Sequence, residues 1–303
     1  MKYINNLYFL MLFFATILGC TSNARQRNIF RNTPAYELAQ AIVNNDTESI
    51  KRISEVSPEL INFQEPVDGT TPLMLAVGCR KYDAVQALID AGADVNLATK
   101  DGLTPLANAI SFGWYDNTPT DCAPMVVLLL KNGADPNQPI STIVQTDSSN
   151  IVLPLYGTSP LMSANGALAQ LPVVKALVEY GADIDYRLED GTTAAIEALR
   201  YNNIETAHFL IVEKHAKVSD PYFNSIILAN IGIPNEPHYP VDLLLNMFFD
   251  LDSPKYKLKQ DIIKEFEKAG INYQERKTTI SPNILSTIKD LHPDDWEDYL
   301  EKY

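Results

Sequence analysis

The chain has 303 residues, 38 acidic against 24 basic, with a formal net charge of −14 and a pI near 4.7. Apolar residues make up 46%, enough to bury a core along most of the chain and too many for a disordered one. The acidic balance argues against a general nucleic-acid binder, which needs clustered Lys and Arg against phosphate, and three cysteines are too few for a disulfide framework.

Residues 1–20 read MKYINNLYFLMLFFATILGC. Lys2 precedes an apolar run from Leu7 to Gly19. That run is shorter than the roughly 18 residues a membrane-spanning helix needs, and fits the hydrophobic region of a secretory signal. It ends in Ile17-Leu18-Gly19-Cys20, which resembles a bacterial lipobox. The resemblance implies a signal peptide over 1–19 and a lipid on Cys20, the first residue of a mature lipoprotein. Leu18 is larger than the residue usual at its position, so plain cleavage and an uncleaved anchor stay open beside it. Residues 20–33 carry Arg25, Arg27 and Arg31 with no acid before Glu37. They read as a flexible basic tether lying on an anionic lipid surface. With no acidic residue following Cys20, a periplasm-facing anchor in the cell envelope is favoured.

A first helical pair is expected from about Tyr36 to Phe63, its polar Glu37, Gln40 and Asn44 suited to an exposed end. Asp68-Gly-Thr-Thr-Pro-Leu-Met-Leu-Ala76 then recurs, 33 residues on, as Asp101-Gly-Leu-Thr-Pro-Leu-Ala-Asn-Ala109. Each is followed by a second signature: Ala91-Gly-Ala-Asp-Val-Asn96, Asn132-Gly-Ala-Asp-Pro-Asn137 and later Tyr180-Gly-Ala-Asp-Ile-Asp185. Asp-Gly makes a tight turn, Thr caps a helix, and Pro sits in the first turn where a missing N–H costs nothing. Val85, Leu88 and Ile89 form the apolar stripe of a second helix, which Gly92 ends in a left-handed conformation. Such a pair cannot bury its apolar face alone, so neighbours must stack.

A 33-residue period with T-P-L and G-A-D-V-N resembles the ankyrin repeat. The resemblance implies an all-α solenoid of helix-turn-helix units with projecting β-turns, about five of them over 34–220. The second unit spans 68–96, the third 101–137, and the fourth runs from Tyr156 to Asp185. The fifth begins at Asp190, with Ala194 and Ala195 for Pro-Leu and His215 in place of the terminating Gly. A degenerate sixth is expected from Val241 to Asn272, and 280–303 as a helical cap.

Two departures from the period stand out. Around Trp114-Tyr115, the loop between the helices of the third unit is longer by about eight residues; it anchors a partner, aromatic residues being frequent hot spots, or folds back over the array. Between the third and fourth units, 138–155 contains β-branched runs at Ile140–Thr146 and Ile151–Leu155 around Asp147, read as one inserted β-hairpin. That finger, including Ile143, Val144, Asp147 and Ile151, is a recognition element, an edge for strand pairing, or simple loop drift. The ankyrin likeness further implies binding by other turn tips, at Phe63, Gln64 and Glu65, at Leu97 and Lys100, and at Tyr186 and Arg187, and by the concave face of the first helices.

Cys79 and Cys122 fall on one rim of adjacent repeats. A disulfide between them requires the Trp114 loop to swing Cys122 inward; two buried thiols are the alternative. The four histidines make no metal-ligand spacing, and no nucleophile motif or phosphate loop occurs, so no catalytic residue, metal or cofactor is expected. The expected function is a non-enzymatic protein-binding module anchored at the membrane through Cys20, its partner a protein of basic charge and not a nucleic acid. The family likeness offers a sharper form, an immunity protein that neutralises a toxin. An enzyme or ligand carrier with its site in 221–303 stands as the rival reading. Oligomeric state is left open.

Overall fold

The computed structural model describes residues 29–111, 122–140, 157–165, 171–223, 236–277 and 282–303. The signal and Cys20, the Trp114–Tyr115 loop and the core of the 138–155 finger lie outside them. The chain divides into two compact units, one formed by Met1–Ala164 and Pro172–Ala182, the other by Asn165–Leu171 and Asp183–Tyr303.

In the first unit, helices come in pairs. They are α1 (Tyr36–Val43) with α2 (Thr47–Val56), α3 (Pro72–Gly78) with α4 (Tyr82–Asp90), α5 (Pro105–Ser111) with α6 (Ala123–Lys131), and α7 (Pro160–Ser163) with α8 (Leu171–Glu179). First helices stack on first helices, α1 on α3, α3 on α5 and α5 on α7, while α2 packs on α4. The sequence dictates each start. Thr71, Thr104 and Ser159 accept from the backbone N–H three residues on, at 3.2, 3.1 and 3.2 Å, with Pro72, Pro105 and Pro160 following directly. Behind each proline sits a leucine with at most 1% of its surface exposed, Leu73, Leu106 and Leu161. Second helices bury Val85 with Leu88 and Val126 with Leu129 completely. Gly92, Gly133 and Gly181 then close them with φ near +90°, where a side chain costs roughly 1 kcal/mol.

The second unit continues the pattern with α9 (Ala194–Arg200), α10 (Ile204–His208), α11 (Pro240–Leu243) and α12 (Pro254–Lys268), α9 packing on α11 and α10 on α12. Thr193 caps α9 by accepting from the Ile196 N–H at 3.3 Å. The fifth second helix carries one residue more than its counterparts, and the surplus is absorbed as a π turn at Phe209–Glu213. Lys214 N–H accordingly reaches back to the Phe209 carbonyl. His215 then takes φ +58° where the other repeats have glycine. At Gly270, φ returns to +83° and the Ile271 N–H bonds the Phe266 carbonyl, the bond Ala93 makes to Leu88, so 240–272 has the backbone of a sixth repeat. Three short helices follow, α13 (Tyr273–Lys277), α14 (Pro282–Leu291) and α15 (Trp296–Lys302).

These last helices close over an aromatic core. Tyr273, Tyr299 and Tyr303 are buried, and Lys259 of α12 is fully enclosed among them. Its ammonium donates to the Met247 carbonyl at 3.1 Å and lies 3.5 Å from the Tyr303 ring centre. Among the described residues no helix is long and apolar enough to cross a membrane, and the one β-pairing is the bridge between Tyr222 and His238.

Candidate functional site

The turns between repeats are built on one backbone scheme. Three residues beyond the last position of the G-A-D-V-N signature, the chain makes a two-bond stem. Glu65 N–H bonds the Thr70 carbonyl and Gly69 N–H the Glu65 carbonyl; Thr99 does the same with Leu103 and Gly102, and Leu188 with Thr192 and Gly191. Ile140 makes the same two bonds, to Thr158 and Gly157, at 2.9 and 2.8 Å. So 141–156 replace the two tip residues found at 100–101 or 189–190 in an otherwise ordinary turn. The stem thus sets the insertion three residues later at its start, and one later at its end, than the 138–155 bracket, and leaves Ile140 in the turn itself. At the fifth turn the stem is the reciprocal pair of Tyr222 and His238, 2.9 and 2.8 Å, so 223–237 are a second insertion at an equivalent tip. In the sequence, the signal that finds it is the count of three residues beyond Ser219.

Consecutive tips are tied together. Gln64 Nε2 donates to the Ala98 carbonyl at 2.9 Å, Lys100 N–H to the Asp68 carbonyl at 2.9 Å, and Lys100 Nζ to the Pro66 and Val67 carbonyls. In the second unit Arg187 donates to the Pro221 carbonyl at 2.5 Å and faces Asp220 at 3.6 Å, and Phe223 N–H donates to Asp190 at 2.7 Å. Glu65, 8% exposed, turns its carboxylate onto its own tip, accepting from Val67 and Asp68 N–H at 2.8 and 3.1 Å.

One rung deeper runs an amide ladder. Asn62 donates to the Gly92 carbonyl at 3.0 Å and accepts from Asp94 N–H at 2.8 Å. Asn96 repeats this with Gly133 and Asp135 at the same distances, and Asn137 donates to Gly181 at 2.9 Å. A carboxamide suits the slot because it offers a donor and an acceptor together.

Family models place ankyrin repeats on residues 38–140, in three copies, and on 166–211. The first match takes in most of α1 and all of α2 to α6, the second α8 to α10. These are ankyrin repeats. The fold is the all-α ankyrin solenoid. The chain is 38% identical over 72 residues to a BTB/POZ domain and ankyrin repeat-containing protein of Medicago truncatula, covering 24% of this chain and 15% of that protein. It is 34% identical over 95 residues to the human 2-5A-dependent ribonuclease, covering 31% and 12%, and 31% identical over 157 residues to an ankyrin repeat protein of fowlpox virus, covering 50% and 40%. The chain therefore spans well under two thirds of the relatives it matches.

Within the ankyrin frame the sequence-selected residues separate. Gln64, Lys100 and Arg187 are spent on ties between tips. Phe63 packs on Phe30, ring centres 6.3 Å apart, and Leu97 and Tyr186 are half-buried. The most open apolar side chain of the described tips is one not selected, Val67, 82% exposed. Trp114, Tyr115, Ile143, Val144, Asp147 and Ile151 lie outside the described residues, as does Cys20. Cys79 is the C-cap of α3 and Cys122 stands just before α6, and no disulfide is drawn between them.

In the second unit the first-helix face carries a polar–aromatic group that sequence spacing did not reveal. Arg200 of α9 lies 5.0 Å from the Tyr222 ring centre and ion-pairs with Glu197, and the His238 ring lies tilted beside Tyr222 at 5.5 Å. Burial pushes the Glu197 carboxyl up, with Arg200 opposing. Burial likewise raises Tyr222 and Asp242, each offset by an arginine, Arg200 and Arg276 respectively. Arg276 reaches Asp242 at 3.6 Å and covers the Tyr239 ring at 4.6 Å. Among the described residues no three His, Cys, Asp or Glu side chains converge as metal ligands.

Proposed function

We propose that this chain is a protein-binding module, held at a bacterial envelope by lipid on Cys20 and facing the periplasm, that engages its partner along the turn edge. One observation carries the binding surface. Insertions at 141–156 and 223–237 are both grafted onto intact turn stems, so chain was added at tips without disturbing any stacked helix. Connections are where added chain is tolerated and where binding residues concentrate. The net charge of −14 favours a basic partner and speeds its encounter at low salt. The sharper form of the reading is neutralisation of a basic toxin arriving at the envelope. Anchoring rests on the lipobox-like Ile17–Cys20 and on the basic tether behind it.

The test is crosslinking in cells followed by affinity capture of the lipidated chain, beside variants lacking 142–155 or 225–235. A single protein captured by the parent, weakened by salt and lost in either deletion, supports the reading. Equal capture by all three moves the site off the turn edge. Incorporation of a clickable palmitate that survives Cys20→Ala contradicts the anchor.

A further inference from the structure

The amide ladder stops before the last repeat. In the fourth turn Asp185 still accepts from Lys217 N–H at 2.8 Å. In the fifth, the slot that holds Asn62, Asn96 and Asn137 holds Ser219, whose hydroxyl turns to its neighbour Asp220 at 3.5 Å. The groups a rung would satisfy are the Gly270 carbonyl and the Asn272 N–H, counterparts of Gly92 and Asp94. Neither has a hydrogen-bond partner among the described residues, and the Asn272 side chain is committed to capping α13 through Gln274 and Glu275. In place of the rung is a cleft of about 400 Å³ lined by Ser219, Tyr239, Gly270, Ile271, Asn272 and Arg276, with Glu275 at its rim. No side chain projects from Gly270, and a Cβ there would meet nothing within 4 Å.

We infer that this cleft is a receptor for a carboxamide, the side chain of an Asn or Gln carried by the partner polypeptide. The chemistry is read from the same chain: three times a carboxamide donates to the glycine carbonyl and twice it accepts from the N–H two residues on, at 2.8–3.0 Å. A carboxylate cannot donate to Gly270, and a hydroxyl as short as Ser219 does not reach it. The cleft is larger than one carboxamide, so flanking backbone enters with it. This site rests on the protein-binding reading but has its own probe.

The experiment uses the lipidated chain in detergent, labelled with 15N-asparagine and titrated with N-acetyl-asparagine methylamide. The Asn272 amide is expected to shift saturably, with the aspartate analogue about tenfold weaker because one hydrogen bond goes unmade. Ser219→Asn, which restores the rung from within, is expected to abolish the shift and slow Asn272 amide exchange, while Ser219→Ala keeps binding. No saturable shift, or the same shift in Ser219→Asn, overturns the site. Partner capture that depends on the turn insertions yet ignores Ser219→Asn overturns it as well, while leaving the broader binding reading intact.

Discussion

Backbone strain concentrates in single residues held in the left-handed region. His215 holds φ +58° and Arg80 φ +54°, a region that costs a residue with a Cβ roughly 1 kcal/mol or more. His215 is exposed, so His215→Gly removes strain and sacrifices no packing. It is expected to stabilise by about 1 kcal/mol, raising the thermal midpoint by roughly 2–4 °C, read by calorimetry. Asn96→Ala loses both contacts of its rung, to Gly133 and Asp135, and is expected to cost about 1–2 kcal/mol, measured by urea unfolding. The turn, cap and glycine positions were legible in the sequence because each is fixed by one residue's own conformational preference. The roles of Gln64, Lys100 and Arg187 were not. Only three-dimensional stacking shows that residues 34 apart meet at the tips, so side chains selected as contacts for a partner turn out to bind the chain's own backbone.

Helices show the same division. Every Thr/Ser-Pro start announced its helix, whereas the π turn at Phe209–Glu213 follows from a one-residue surplus visible only once the flanking repeats are aligned in space. The closing helices α13–α15 carry no repeat signal, and their order comes from tyrosines around Lys259. Burial holds the Lys259 amine well below its ordinary value, with Lys277 adding to the effect, and holds Tyr273 and Tyr303 above theirs. A lysine whose folded pKa is depressed leaves the unfolded chain binding the extra proton. Stability of this segment therefore rises as pH climbs from the lowered value toward about 10.4. The raised tyrosines act oppositely, withdrawing stability above about pH 10. Unfolding of the full chain followed between pH 7 and 10 is expected to show that upward slope, and Lys259→Met, of similar volume, to flatten it. A slope unchanged in Lys259→Met contradicts the assignment.

At the scale of the molecule, each of the two units is built by stacking helices of one pair on those of the next. Leu106 is buried as its counterparts Leu73 and Leu161 are. Leu106→Ala is expected to cost about 2–5 kcal/mol through the cavity it leaves, without altering what the turn edge recognises. Architecture was therefore readable from the 33-residue period, while the binding surface was only half readable: the 141–156 insertion interrupts a strong signature, but 223–237 falls where Ser219, Tyr222 and His238 have already lost it. The central claim is that the turn edge meets the partner. Its most direct test is a photo-crosslinking residue placed in cells either at Val67, on a tip and 82% exposed, or at Glu205, exposed on the second-helix side. The account predicts a discrete protein adduct from Val67 and none from Glu205; an adduct from Glu205 alone, or equal adducts from both, would contradict it.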